Sequence, residues 1–347
     1  MATSEPAYDL ENFEYDTSAE ACSLEDVVAL GALFLPVWYS LVFAVGLVGN
    51  TLVVLAVGCG PGRRTRGVTD VYLLNLALSD LLFVATLPVW THYVISPTGL
   101  PHAACALVTT LFFVGFFAGV FFVTLISVDR YVAIVRPAAA LGGRSASHGV
   151  TRSLGVWGAA LLAAAPQFMF TGRSQGECLG VYPASLQLVW PVLRAVETTL
   201  LGFALPALVL TFCSCRITRV LCVARDPRKT RALRLVLLVV VAFLVFWTPY
   251  QVLLVLDTLR LFDFFPDCTA RRELRLALTL AETLAFSHCC LNPIIYTFAG
   301  DRFRGYLRQL ARKWLAGSDP PQSPRSESMP GASHTLDTSE GNRSVLL

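Results

Sequence analysis

An all-α membrane protein is the fold class this sequence predicts: a seven-transmembrane helix bundle with a short amphipathic helix on the cytosolic side. Three observations carry the prediction. Seven mostly apolar stretches, near 31–58, 68–95, 103–135, 149–170, 187–222, 231–259 and 273–299, each reach the length of about twenty residues that a membrane-spanning helix needs. The 347-residue chain is 55% hydrophobic and only 15% charged, against about a quarter charged in soluble domains. The basic residues also gather in alternate connecting segments, as membrane topology requires.

Residues 1–30 are expected to form an acidic tail. Glu5, Asp9, Glu11, Glu14, Asp16, Glu20, Glu25 and Asp26 occur in its first 26 positions, with no Lys or Arg. Such a segment is expected to be disordered when free and to attract a basic partner, speeding encounter. It lacks the basic start and apolar run of a cleavable signal peptide, so the first span is expected to begin insertion itself.

Residues 31–300 carry the seven spans. Arg63, Arg64 and Arg66 lie between spans one and two, and Arg136, Arg144 and Arg152 between three and four. Arg216, Arg219, Arg225, Arg228, Lys229, Arg231 and Arg234 lie between five and six; Arg302, Arg304, Arg308, Arg312 and Lys313 follow span seven. The opposite segments hold few bases, apart from Arg260, Arg271, Arg272 and Arg275 before span seven. This asymmetry predicts an extracellular N-terminus and a cytosolic C-terminus. The net charge of +3 itself decides nothing. The Asn-x-Ser triplet Asn342-Arg343-Ser344 then falls in the cytosol and is expected to stay unglycosylated.

Each span carries residues that lipid alone would reject. Asn50 follows Gly49 in span one, Asp80 closes Leu76-Ala77-Leu78-Ser79-Asp80 in span two, and Asn292 and Tyr296 stand in Asn292-Pro293-Ile294-Ile295-Tyr296 of span seven. They can satisfy one another only inside the bundle. The network fixes helix register, or rearranges between two packings, and the two roles are compatible. Asp129-Arg130-Tyr131 ends span three, where an Asp-Arg pair is costly unless something holds or uses it. Pro88, Pro166, Pro206, Pro249 and Pro293 each free a backbone carbonyl and permit a kink. Pro249 stands beside the bulky Trp247 in Phe246-Trp247-Thr248-Pro249-Tyr250, the mark of a hinge with a lever.

Topology sorts the ten cysteines. Cys22, Cys105, Cys178 and Cys268 fall on the oxidising side. Four cysteines allow three pairings, and spacing does not choose among them. A Cys105–Cys178 bridge would pin a loop over the bundle mouth, and a Cys22–Cys268 bridge would tie the tail to the segment before span seven. Cys213, Cys215, Cys289 and Cys290 lie within spans and are expected to pack as small apolar groups.

Residues 301–315 read as an amphipathic helix on the membrane surface, with Phe303, Tyr306, Leu307, Leu310 and Trp314 on one side and bases on the other. Residues 316–347 are rich in Ser, Thr, Pro and Gly and are expected to be a disordered cytosolic tail. Ser323, Ser326, Ser328, Ser333, Thr335, Thr338 and Ser339 are candidate phosphorylation targets.

Gly49-Asn50, Leu76 to Asp80, Asp129-Arg130-Tyr131, Trp157, Trp247-x-Pro249 and Asn292-Pro293-x-x-Tyr296 occur in order, each set in its own span. Together they resemble the rhodopsin-like G-protein-coupled receptors over roughly residues 22–314. Thr86-Leu87-Pro88, the run Asp129 to Val135, Ser287 to Pro293 and the four outer cysteines resemble the chemokine receptors among them. Longer words are similar to the branch that takes fractalkine-type (CX3C) chemokines. They are Glu11 to Asp16, Val84 to Tyr93, Ala164 to Thr171, Trp190 to Arg194 and Asp263 to Pro266.

The resemblance implies a plasma-membrane receptor that binds a fractalkine-type chemokine and activates inhibitory heterotrimeric G proteins. It implies support of leukocyte adhesion and chemotaxis, and the two disulfides Cys105–Cys178 and Cys22–Cys268. The tail, with Tyr8, Glu14, Tyr15 and Asp16, would dock the chemokine core, and Tyr15 between acids suits sulfation. Tyr39, Trp90, Phe112, Tyr250 and Glu282 match cavity-lining positions, with Glu282 placed to meet a basic group or an amine. Arg130, held at rest by Asp129, would contact the G protein when the sixth helix swings out.

Some positions depart from the family pattern. Ser214 replaces a tyrosine that supports active states, which puts coupling strength in question. Gly119 and His288 replace polar residues of a sodium site around Asp80, so sodium regulation is expected to be weak or absent. Lys229 stands where many relatives carry an acid, which disfavours a cross-bundle salt bridge from Arg130.

A scavenging receptor without G-protein signalling is the alternative. The intact Asp129-Arg130-Tyr131 argues against it, and Ser214 slightly for it. A retinal protein is disfavoured because span seven has no lysine, and a transporter because no internal repeat is seen. No nucleophile–base set or metal spacing points to an enzyme, a cofactor or a metal, and nothing suggests a nucleic-acid partner.

Overall fold

The structure is a computed structural model that describes residues 25–59, 67–96, 100–140, 146–174, 177–180, 182–223, 227–262, 264, 267–299 and 301–316. Among these residues seven helical spans are long and apolar enough to cross a membrane. Helix α1 covers Glu25–Cys59, α2 Val68–Ile95 and α3 His102–Val135. The short α4 (Pro137–Ala140) leads to α5 (Ala146–Phe170) and to an antiparallel hairpin of β1 (Thr171–Ser174) and β2 (Glu177–Gly180). The fifth span is α6 (Val189–Thr199), a π-turn at Leu200–Ala204, and α7 (Leu205–Val223). Helix α8 runs over Pro227–Leu259, α9 over Cys268–Phe286, α10 over His288–Ala299 and α11 over Asp301–Ala316.

Lipid length and lipid chemistry explain the layout. The outer faces keep large apolar side chains exposed, such as Leu33 at 79%, Leu162 at 77% and Met169 at 71%. In a water-soluble protein such faces would be buried; here they meet acyl chains. Tyr72, Phe117, Phe122 and Phe243 are fully buried in the interior. Close approach is bought with small residues at chosen points. At Gly115 an added Cβ would stand 2.8 Å from the backbone nitrogen of Phe83, so α2 and α3 touch there.

Helix ends and kinks have local causes. Glu25 and Asp26 sit in the first turn of α1, where the helix dipole favours acids. That helix begins six residues before the apolar run at 31 and also contains Pro36. Asp267 caps α9 by accepting from the Ala270 N–H at 3.1 Å. Near Pro88 the Thr86 hydroxyl donates to the Phe83 carbonyl at 2.7 Å and Thr91 to that of Leu87 at 2.9 Å.

The seventh span is broken at Ser287, a feature the hydropathy pattern does not announce. The Ser287 hydroxyl donates to the Thr283 carbonyl at 2.8 Å. The Trp38 indole N–H of α1 reaches both that carbonyl, at 3.1 Å, and the Ser287 oxygen, at 3.2 Å. The Thr283 carbonyl, which also accepts from the Ser287 N–H at 3.3 Å, is thus met from a neighbouring helix as well.

The hairpin is fastened at one end of the bundle. Cys178 of β2 is bridged to Cys105 of α3, with Cα atoms 5.8 Å apart. The Cys178 N–H also donates to the Tyr93 hydroxyl of α2 at 3.1 Å. Cys268 is disulfide-bonded as well; its expected partner Cys22 lies outside the described residues. Of the span cysteines, Cys213, Cys289 and Cys290 are buried and pack as expected, whereas Cys215 is exposed. At the base of α1 and α2, Phe303 and Leu307 of α11 pack against Val53 and Ala77. Residues 308–347 form a separate unit, described as helix up to Ala316.

Candidate functional site

Three groups of residues lie along the bundle. At the hairpin end, α1, α2, α3, α8 and α9 bring together the cavity residues. Tyr39 is buried, and its ring centroid is 6.1 Å from that of Phe286. Phe112 sits 5.1 Å from Phe286 and 6.5 Å from Trp90. Glu282, half-buried on α9, feels both Tyr39 and Tyr250 electrostatically, and its own carboxylate is drawn by Arg275. The structure therefore places Tyr39, Trp90, Phe112, Tyr250 and Glu282 in one region.

This region also holds a cation that the sequence reading missed. Arg194 of α6 donates to the Tyr182 hydroxyl at 2.8 Å and lies 5.9 Å over the Phe113 ring. It acts electrostatically on Tyr250 and on Glu197. This end of the bundle thus carries both an acid and a base among aromatic rings.

The middle group surrounds Trp247. Its ring lies 6.2 Å from Tyr250 above, 4.8 Å from Phe116 and 6.2 Å from His288. Below it is a cavity of ≈ 30 Å³, lined among others by Asp80, Phe116, Gly119, Trp247, His288 and Asn292. That volume suffices for one or two waters. Asn292 donates its amide to Asp80 Oδ2 at 2.8 Å, so the paired polar groups do meet across α2 and α10. Asn50 turns elsewhere: its amide donates to the carbonyls of Gly46, at 3.0 Å, and Cys289, at 3.2 Å. The side chain of Tyr296 lies outside the described residues. A second polar set ties α2 to α5, where the Trp157 indole donates to Asn75 Oδ1 at 2.9 Å.

The third group is at the opposite end. Asp129 is buried, and Arg130 donates to the Thr69 hydroxyl. Thr69 in turn donates to Asp129 Oδ2 at 3.2 Å. A hydroxyl of α2 thus bridges the arginine and its neighbouring acid. Tyr131 packs 5.7 Å from Phe212 and joins Ile217 and Leu221 of α7. Ser214 is buried on the same helix. The side chain of Lys229 lies outside the described residues, as do Tyr8, Glu14, Tyr15, Asp16 and the tail sites Ser323, Ser326, Ser328, Ser333, Thr335, Thr338 and Ser339.

A cluster of aromatic and charged side chains at the hairpin end, a buried polar centre and an arginine–acid pair at the far end, all in a seven-span bundle, define a receptor-type architecture. Comparison with known proteins agrees. The 7-transmembrane receptor (rhodopsin family) matches residues 49–296, and the chain belongs to that family. Within it, similar relatives include chemokine receptors. CX3C chemokine receptor 1 of Mus musculus is 56% identical over the whole of both chains. That of Homo sapiens is 53% identical, covering 97% of this chain and 98% of its own. The human C-C chemokine receptor type 4 is 43% identical over 85% of this chain and 82% of its own. The chain is thus a multi-pass membrane receptor of the G-protein-coupled chemokine class, and not an enzyme.

Proposed function

We propose that this receptor takes a fractalkine-type (CX3C) chemokine at the hairpin end and activates inhibitory heterotrimeric G proteins at the Arg130 end. The N-terminus and hairpin face the exterior at the plasma membrane, and the C-terminus faces the cytosol. The bias of Lys and Arg toward alternate segments supports that orientation. The acidic tail, with Glu14, Asp16 and sulfated Tyr8 and Tyr15, captures the basic chemokine core. The chemokine's N-terminal amine then enters the mouth and meets Glu282.

One observation carries the reading: few contacts separate the mouth from the switch. Glu282 acts on Tyr250, whose ring lies 6.2 Å from Trp247, two residues before Pro249. A cation at Glu282 therefore bears on the proline hinge of α8 through a single intermediate ring. Rotation there repacks Trp247 against the cavity of Asp80, Asn292 and Pro293's helix, and releases Arg130 from Thr69 and Asp129. Tyr131 and Tyr296 support the opened state. Receptor kinases and an arrestin then act on the tail. Such a receptor supports leukocyte adhesion and chemotaxis.

The test is cyclic AMP inhibition in cells that express this chain, with soluble fractalkine chemokine domain added and ligand uptake followed in parallel. A fall that pertussis toxin abolishes is the expected result. Uptake without any fall would instead mean a scavenger, and neither response would mean a different ligand.

A further inference from the structure

Gly202 lies in the π-turn of the fifth span, buried and facing α3. A Cβ there would stand 2.6 Å from Phe116 Cζ and 2.8 Å from Phe116 Cε1. Those distances are below van der Waals contact, so the absence of a side chain at residue 202 is what seats this ring. Both surfaces are held by neighbours on most sides. Thr199, directly before the π-turn, donates to Gln251 of α8 at 3.2 Å and holds the turn in place. Phe116 is boxed by Phe117 at 5.0 Å, Phe113 at 6.4 Å and Trp247 at 4.8 Å. The remaining slack is the ≈ 30 Å³ cavity that Phe116 and Trp247 both line.

We infer that Gly202 is a positioning residue of the receptor switch: it seats Phe116 so that Trp247 rests in its inactive packing. The π-turn makes this possible, because the wider turn re-aims the residues around it. A methyl at residue 202 drives the Phe116 ring toward the cavity and against Trp247. Trp247 then leaves its seat, and α8 opens about Pro249 without ligand.

The inference rests on the signalling role proposed above. The test is basal nucleotide exchange on inhibitory G protein in membranes carrying wild type, Gly202→Ala, Phe116→Leu and the double variant at matched surface levels. Gly202→Ala should raise basal exchange about fivefold, the low end of allosteric couplings. In the Phe116→Leu background the same methyl should change nothing, since the ring it strikes is gone. A purely structural role would lower expression in both backgrounds and leave exchange per receptor unchanged, which would overturn the inference. So would unchanged or lowered basal exchange in Gly202→Ala alone. If Gly202→Ala does not reach the surface, its recovery in the double variant supports the contact, and failure of both overturns it. The chemokine response of the wild type, read in the same membranes, reports separately on the signalling role.

Discussion

Replacing Thr69 with Val removes one hydroxyl and almost no volume, and so isolates the bridge between Arg130 and Asp129. Thr69 accepts from the Arg130 guanidinium and donates to Asp129 Oδ2 at 3.2 Å. Hydrogen bonds to charged groups each contribute about 1.5–3 kcal/mol. Both charged residues also keep other partners, and Thr69 is only part-buried. The resting state should therefore lose about 1.5 kcal/mol, the low end of that range, which is roughly tenfold in the equilibrium. An active population near ~1% at rest would rise to about 10%. The assay is basal GTPγS exchange in membranes with matched receptor number, wild type against Thr69→Val. A severalfold rise, with a smaller further increment from chemokine, is expected. Basal exchange equal to wild type would refute the bridge as a restraint on Arg130. Thr69→Ser, which keeps the hydroxyl, should behave as wild type.

Three further outcomes are expected. Asn292→Leu strips Asp80 of the amide that donates to it at 2.8 Å. It should cost about 2 kcal/mol, seen as a lower unfolding temperature of the detergent-solubilised receptor; an unshifted transition would mean that Asp80 finds a substitute. Glu282→Gln should cut chemokine-driven exchange more than chemokine binding, and equal losses in both would reduce Glu282 to a docking contact. Tyr15→Phe should weaken chemokine capture by removing the sulfate site, and unchanged affinity would dispose of the sulfated-tail proposal.

Much of this architecture can be read from the sequence, because lipid imposes a severe rule. Apolar runs of fixed length must be helices, and the few polar residues inside them must find each other. Asp80 and Asn292 illustrate this: each is anomalous in its own span, and they are bonded across α2 and α10. Asn50 is equally anomalous yet donates its amide to the Gly46 and Cys289 carbonyls instead. Residue type alone could not distinguish those two fates. The four outer cysteines left their pairing open; Cys105–Cys178 was settled only once the hairpin brought β2 to the head of α3.

The features that escaped notice share a different cause. Thr69 is an ordinary threonine near the start of a helix, and nothing in one dimension places it beside residues 129 and 130. The π-turn at Leu200–Ala204 lies in an apolar run, where helical periodicity has no polar residue to mark the extra residue in the turn. The break at Ser287 depends on Trp38, a residue 249 positions away. Arg194 was visible, but its partner Tyr182 is donated by the loop, whose path the sequence does not reveal.

The central claim is that chemokine at the mouth opens the Arg130 end to a G protein. Its most direct test is nucleotide exchange on purified inhibitory G protein by this receptor in lipid nanodiscs, with and without the soluble fractalkine chemokine domain. Chemokine should accelerate exchange in the wild type, and Arg130→Ala should bind the chemokine normally yet show no acceleration. Bound chemokine with no acceleration in the wild type, or acceleration that survives Arg130→Ala, would contradict it.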